Sequence, residues 1–209
     1  MLVEYENQIL PVIPKTFLGL DFAMHSLYVA SDEDEAKYPD FLRKAEKRLA
    51  KAQRKLSQKQ KESHNREKQR LRVAILHEKV ANQRRDFLHK KARYLADRYD
   101  VIGIEDISVK AMAKRKKGGK FSFGKSVADN GWNMFTNMLE YKLAWQGKKL
   151  IKIDKWYPSS QLCHVCGYQN HETKDLSVRE WDCPKCGSHH NRDKNAAINI
   201  REEARRISA

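Results

Sequence analysis

The apolar positions of the chain change period several times, and each change marks an element. Residues 16–22, TFLGLDF, form a short apolar run with one acid embedded in it, as a buried strand does. LYVAS (27–31) predicts a second strand, reached through a tight turn at Ala23–Ser26. From Pro39 the period lengthens: Leu42, Ala45, Leu49, Ala52 and Leu56 recur at alternating spacings of 3 and 4, the stripe of a helix that packs along a partner. The polar stretch 57–68, SQKQKESHNREK, contains the turn. A second helix then runs to about Tyr99 with Leu88, Ala92, Leu95 and Tyr99 on one face, so that residues 40–99 predict a helical hairpin. DVIGIEDIS (100–108) returns to strand character, again with an acid beside an apolar run. The Lys-, Gly- and Ser-rich stretch that follows reads as a loop. An amphipathic helix is predicted over 132–149 with Gly147 as its C-cap, and a further strand over 149–156.

Strands separated by helices, with one cysteine-rich insertion near the end, indicate an α/β domain carrying a metal knuckle. The pattern leaves the strand order open, and no internal repeat is present.

Charge adds a partner class. The chain carries 42 Lys+Arg against 27 Asp+Glu, a formal net charge of +15. Residues 41–100 alone hold 20 basic and 7 acidic side chains, and 109–130 adds seven basic residues against one Asp. This concentration points to a polyanion, with nucleic acid as the default. No run approaches the roughly 18–20 apolar residues that span a bilayer, and no leader pattern opens the chain, which predicts a cytoplasmic, nucleoid-associated protein without a membrane partner.

All four cysteines fall in one short segment, as Cys163-x2-Cys166 and Cys183-x2-Cys186 with sixteen residues between the pairs. Each pair makes a knuckle offering two thiolates, and two knuckles complete a closed tetrahedral shell, the pattern of a structural zinc site. Gly167 and Gly187 follow the pairs where a knuckle needs positive φ. A shell already filled leaves His164, His171, His189 and His190 as surface or nucleic-acid contacts.

Chemistry must then come from elsewhere. Asp21, Glu105 and Asp193 each adjoin apolar residues in a predicted regular element. A carboxylate set against a core strand costs several kcal/mol unless a cation or hydrogen bonds compensate it. Three such positions in an α/β chain invite a shared site for Mg²⁺ or Mn²⁺, where acidic clusters hydrolyse phosphodiesters with two metal ions. The alternatives are solvated carboxylates at strand ends for Asp21 and Glu105, and a helix N-cap for Asp193, although Asn191 is placed to cap the same helix.

These segments resemble the C-terminal nuclease portion of the TnpB (OrfB) proteins of bacterial insertion sequences, relatives of the type V CRISPR effectors. GLDFAMHSLYVASD resembles the family's first RuvC motif, which puts a catalytic acid at Asp21. The segment from Ser63 to Met112 resembles the helical stretch leading into the second motif, which puts one at Glu105. WYPSSQLCHVCG and REWDCPKCGSHHNRDKNAAINI resemble the zinc-bearing, target-nucleic-acid-binding module and the third motif, which puts one at Asp193. The resemblance runs from about residue 16 to 201. It implies a ribonuclease-H-like (RuvC) mixed sheet over 16–157 and 188–209, with the basic hairpin attached and the zinc ribbon inserted at 158–187. It also implies two-metal cleavage of DNA, directed in full-length relatives by a guide RNA. Arg192 is then either a contact to the scissile phosphate or a surface charge. Lys114, Arg115, Lys116 and Lys117 join it as candidate nucleic-acid contacts, in a loop (113–125) that is either a lid or a plain linker.

The sequence departs from the family pattern in two ways. Ala23 stands where the family has Gly, so the turn after the first acid must tolerate a side chain or the second strand shifts. Segment 1–15 stands where relatives carry a guide-binding N-terminal region, so the chain reads as a fragment, a truncated relative or one part of a split system, with 1–15 as residual linker or strand. Two further readings stand beside the nuclease: a nucleic-acid-binding protein without cleavage of its own, and a DDE-type transposase.

Overall fold

The structure, a computed structural model, describes residues 9–24, 26–34, 36–107 and 131–209. The basic loop with Lys114, Arg115, Lys116 and Lys117 lies outside the described residues.

Four strands build a mixed sheet in the order β2-β1-β3-β4: β1 (Phe17–Phe22), β2 (Tyr28–Ala30), β3 (Val101–Glu105) and β4 (Lys149–Ile153). β2 pairs antiparallel to β1, while β3 is parallel to both β1 and β4. The sheet order, open in the sequence, follows from the connections: a tight turn suffices for the antiparallel pair, whereas parallel neighbours need helical crossovers. Ala23 does not shift the second strand. Among the described residues only Asp40 and Glu62 are non-glycine residues with positive φ, and Asp21 still pairs with Val29 and Phe22 with Tyr28.

The hairpin forms from α1 (Phe41–Ser57) and α2 (His64–Arg98). α2 starts earlier than the polar run predicts because the Ser63 hydroxyl accepts from the Arg66 N–H and caps it. Of the five stripe residues expected to seal the hairpin, only Leu49 is buried; the buried Gln69 amide, donating to the Ala52 carbonyl at 3.0 Å, joins the helices instead. The C-terminal half of α2 enters the main core with Leu88, Ala92, Leu95 and Ala96. There it meets Leu18, Leu20, Ile102 and Ile104 of the sheet and Phe135, Leu139 and Leu143 of α3 (Trp132–Ala144). α3 ends five residues before the predicted limit, and Gly147 (φ 69°) closes it as the Lys148 N–H returns to the Leu143 carbonyl.

Among the described residues, the other face of the sheet carries one helix, α4 (Arg192–Ser208), whose Ile200 and Ala204 pack with Val101 and Ile153. Between β4 and α4 stand the cysteine knuckles, a 3-10 turn (His171–Lys174) and a two-stranded antiparallel ribbon, β5 (Glu180–Asp182) and β6 (His189–Asn191). No helix among the described residues is long and apolar enough to cross a membrane.

Candidate functional site

Strand alternation decides which face the acids occupy. With Leu18, Leu20, Ile102 and Ile104 committed to the α2–α3 core, Phe17, Gly19 and Asp21 on β1 and Val101, Gly103 and Glu105 on β3 face α4. The two acids follow one step after the last paired residues, Leu20 and Ile104, at the C-terminal ends of parallel neighbours.

Helix α4 runs antiparallel to β1 and very close to it. The Arg205 guanidinium lies 4.8 Å from the Phe17 ring, and a Cβ on Gly19 would sit 2.0 Å from the Ala197 carbonyl oxygen. From Ala197 back to Asp193 is four helical residues, about 6 Å of rise. From Gly19 on to Asp21 is two strand residues, about 6.6 Å. The matched steps bring Asp193 level with Asp21.

The electrostatics agree. Burial first, then the negative charges of Glu105 and Asp193, push the Asp21 carboxyl well above the ordinary carboxylate range; the Arg192 charge and the Phe22 N–H oppose this. Asp193 is not the helix cap. Asn191 holds that position, its side-chain oxygen accepting from the Lys194 N–H at 3.1 Å. Asp193 sits within the first turn, where the helix dipole favours an anion. Its Oδ1 accepts from Arg192 at 3.2 Å and its Oδ2 from Arg179 at 3.2 Å. Arg192, for which a surface charge was one reading, is 7% exposed and also donates to the Asp175 carbonyl. Glu105 accepts a hydrogen bond from the Ser159 hydroxyl.

This donor set suits a divalent cation. Three carboxylates converge from rigid elements, and ionisation of Asp21 is opposed first by burial and then by Glu105 and Asp193, which a cation would offset. The acids are not gathered into one shell as the cysteines are. Among the described residues, Cys163, Cys166, Cys183 and Cys186 form the group whose ligand atoms all lie within 4.8 Å of one another.

The spacing of the four cysteines suits a tetrahedral ion. Cys163 Sγ lies 3.7 Å from Cys186 Sγ, and Cys166 Sγ lies 3.5 Å from Cys183 Sγ. A tetrahedral ion at the Zn–S distance gives an edge of about 3.8 Å. Gly167 and Gly187 both take φ 72°, which lets the Gly N–H groups return to the Cys163 and Cys183 carbonyls and close the knuckles. His190 corrects the expectation of a surface histidine. It is 3% exposed, with Nε2 at 3.1 Å from Cys163 Sγ, and burial and the neighbouring histidines lower its pKa, which favours the neutral ring. Its position inside the β5–β6 ribbon, opposite Trp181, was the missed signal.

Basic side chains collect away from this centre too. Lys55, Lys59, Lys68 and Arg72 line a cavity of about 370 Å³ towards the hairpin tip.

With this geometry in place, the chain can be set beside known proteins. Residues 1–116 match the OrfB_IS605 family, described as a probable transposase. The chain belongs to this family. Residues 132–200 match the Cas12f1-like TNB domain. Two curated relatives of the OrfB chain are named "Putative RNA-guided DNA endonuclease". One, of Streptomyces pristinaespiralis, is 40% identical over 183 residues, covering 88% of this chain and 44% of the relative. The other, InsQ of Escherichia coli (strain K12), is 33% identical, covering 91% and 50%. The chain thus spans about half the length of the curated relatives it matches. The fold is shared with a Cas12f1–sgRNA–target DNA complex, at a TM-score of 0.59 and 22% identity over 91% of this chain and 50% of that one.

Proposed function

We propose that this OrfB chain is a metal-dependent DNA endonuclease unit with a ribonuclease-H-like (RuvC) fold, in which Asp21, Glu105 and Asp193 hold Mg²⁺ or Mn²⁺. The observation that carries this reading is the convergence of acids from two parallel strand ends and a helix start, with the Asp21 carboxyl pushed up first by burial and then by the other two. The names of the relatives support DNA as substrate and a guide RNA as partner in a full-length context.

Divalent ions bound there would activate water and neutralise the leaving oxygen. The chain's own contribution is positional. β1 and β3 hold Asp21 and Glu105 side by side, α4 supplies Asp193, and Arg192 offsets part of their charge from a buried position. Arg192 and Arg179, both paired with Asp193, would supply positive charge beside a bound phosphate. The four cysteines hold structural zinc, a closed shell without a position for substrate. The hairpin, with the basic residues Lys114, Arg115, Lys116 and Lys117, grips the nucleic-acid backbone.

The test is cleavage of single-stranded DNA with Mg²⁺ or Mn²⁺ by this chain and by Asp21→Asn, Glu105→Gln and Asp193→Ala. Each substitution should abolish cleavage while DNA binding persists. Tight, salt-sensitive binding with no cleavage under any metal would leave a binding protein instead.

A further inference from the structure

Ser159 stands in the loop between β4 and the first knuckle, 4% exposed, and its hydroxyl donates to Glu105 Oε1. The backbone of this serine is fixed on both sides. Its N–H donates to the Tyr157 carbonyl at 2.8 Å, and its carbonyl accepts from the Asn199 amide at 2.7 Å. Asn199 donates equally to the Leu162 carbonyl at 2.7 Å, and Asn195, one turn earlier on α4, reaches the same carbonyl at 2.6 Å. The Asn195 oxygen accepts the His164 N–H at 3.1 Å, so the two asparagines grip the backbone on either side of Cys163.

Both asparagines are buried on the helix that carries Asp193. A buried amide is costly unless satisfied, and one that is satisfied specifies a single arrangement. Here the arrangement joins three things: the register of α4, the position of the first knuckle, and the serine that touches Glu105. A hydroxyl on one carboxylate oxygen fixes the rotation of the side chain, as partners behind metal ligands generally do.

We infer that Ser159 is a positioning residue for Glu105, and that Asn195 and Asn199 make the acidic centre depend on the folded four-cysteine module. This rests on the proposed acidic metal site, and the experiment separates the two. Mn²⁺ affinity is measured by electron paramagnetic resonance on the full chain, with zinc content checking the module. Ser159→Ala should bind Mn²⁺ about ten- to hundredfold more weakly with zinc retained. Ser159→Thr, which keeps the hydroxyl, should restore binding, and Ser159→Cys, a weaker donor of similar size, should fall between. Asn199→Ala should weaken Mn²⁺ binding although it touches no carboxylate.

Parent-like Mn²⁺ affinity in Ser159→Ala, or in Ser159→Cys should the alanine variant lose zinc, overturns the inference if Glu105→Gln abolishes binding; the metal site itself then stands. Unchanged Mn²⁺ binding in both Glu105→Gln and Asp193→Ala overturns the site and the inference together.

Discussion

Gly19 on β1 and Gly103 on β3 are register partners, and helix α4 lies directly on both. A Cβ at Gly19 would fall 2.0 Å from the Ala197 carbonyl oxygen and 2.6 Å from the Arg201 nitrogen, both backbone atoms. At Gly103 the first obstacle is a side chain, the Ala204 Cβ at 2.6 Å, with the Ile200 carbonyl at 2.9 Å behind it. The pair forms a step without side chains that lets α4 sit low enough for Asp193 to reach the strand ends.

Gly19→Ala should therefore lift the helix and cost more than the roughly 1–3 kcal/mol typical of overpacking. Gly103→Ala should cost less and be partly rescued by Ala204→Gly, whereas no small side-chain change can rescue Gly19→Ala. Thermal unfolding followed by circular dichroism decides it: a Gly19→Ala chain melting with the parent would refute the close packing.

Asp100 ties the entry of β1 to the entry of β3. Its Oδ2 accepts from the Lys15 N–H, the Thr16 N–H and the Thr16 hydroxyl at 2.9–3.0 Å, with Lys148 Nζ at 3.9 Å from Oδ1. Burial alone would raise this carboxyl, but the three hydrogen bonds and Lys148 outweigh it and hold it below the ordinary 3.8. A depressed folded-state pKa contributes stability above 3.8 that is lost as pH falls through the lower value. Asp100→Ala should cost about 1–3 kcal/mol at neutral pH, and the gap to the parent should narrow in denaturant melts below pH 3.8.

The cysteine module should be a separable metal-dependent unit. Trp181 is buried against Cys163 and Cys183, with its ring 4.6 Å from His190. Metal analysis should find one zinc per chain bound by the four cysteines, and chelation should expose Trp181, shifting its fluorescence to the red, while the main sheet keeps its circular dichroism. His190→Phe should weaken zinc retention about ten- to hundredfold, since it removes the ring nitrogen that lies 3.1 Å from Cys163 Sγ. A chelated module with unshifted Trp181 emission would show that metal does not hold it together.

Much of this was legible in the chain because the relevant signals are local. The two CxxC pairs, the acids embedded in TFLGLDF and DVIGIEDIS, and the hairpin turn each lie within a short window. The residues that assemble the centre do not announce themselves this way. Gly19 and Gly103 read as weak strand residues until α4 is laid over them, although each of the two strand acids is preceded by a glycine two positions earlier, in GLD and GIE. Asn195 and Asn199 read as poor helix formers, and their purpose lies in a loop more than thirty residues away. The hairpin stripe misled in the opposite direction. Its period was helical, but the helices meet through Gln69 and leave most of the stripe partly exposed.

Backbone binding by the hairpin makes a prediction about salt. Lys55, Lys59, Lys68 and Arg72 share one cavity lining and should neutralise phosphates without reading sequence. Replacing Lys55, Lys68 or Arg72 by Glu should weaken DNA binding by a similar factor for unrelated sequences. Each should also flatten the slope of log affinity against log salt by roughly one phosphate contact. Fluorescence anisotropy across a salt series measures this. An unchanged slope would place the DNA away from the hairpin.

Asp21 sets stability against function. Its folded-state pKa lies above 3.8, so in the absence of metal its protonated form favours the fold, and this contribution is lost as pH rises from 3.8 through the raised value. Beyond that value the ionised carboxyl, half-buried beside Glu105 and Asp193, weighs against folding. Asp21→Asn should therefore melt above the parent in metal-free buffer at a pH above the raised value, and this advantage should vanish below pH 3.8. Saturating Mn²⁺ should reverse the order, because a ligand that binds only the folded state stabilises it by RT ln(1 + [L]/Kd), a gain of about 2.7 kcal/mol at one hundred times Kd. The variant, lacking one of three carboxylates, should gain far less. A parent chain whose melting temperature is indifferent to Mn²⁺ would mean that the charge gathered around Asp21 serves no cation.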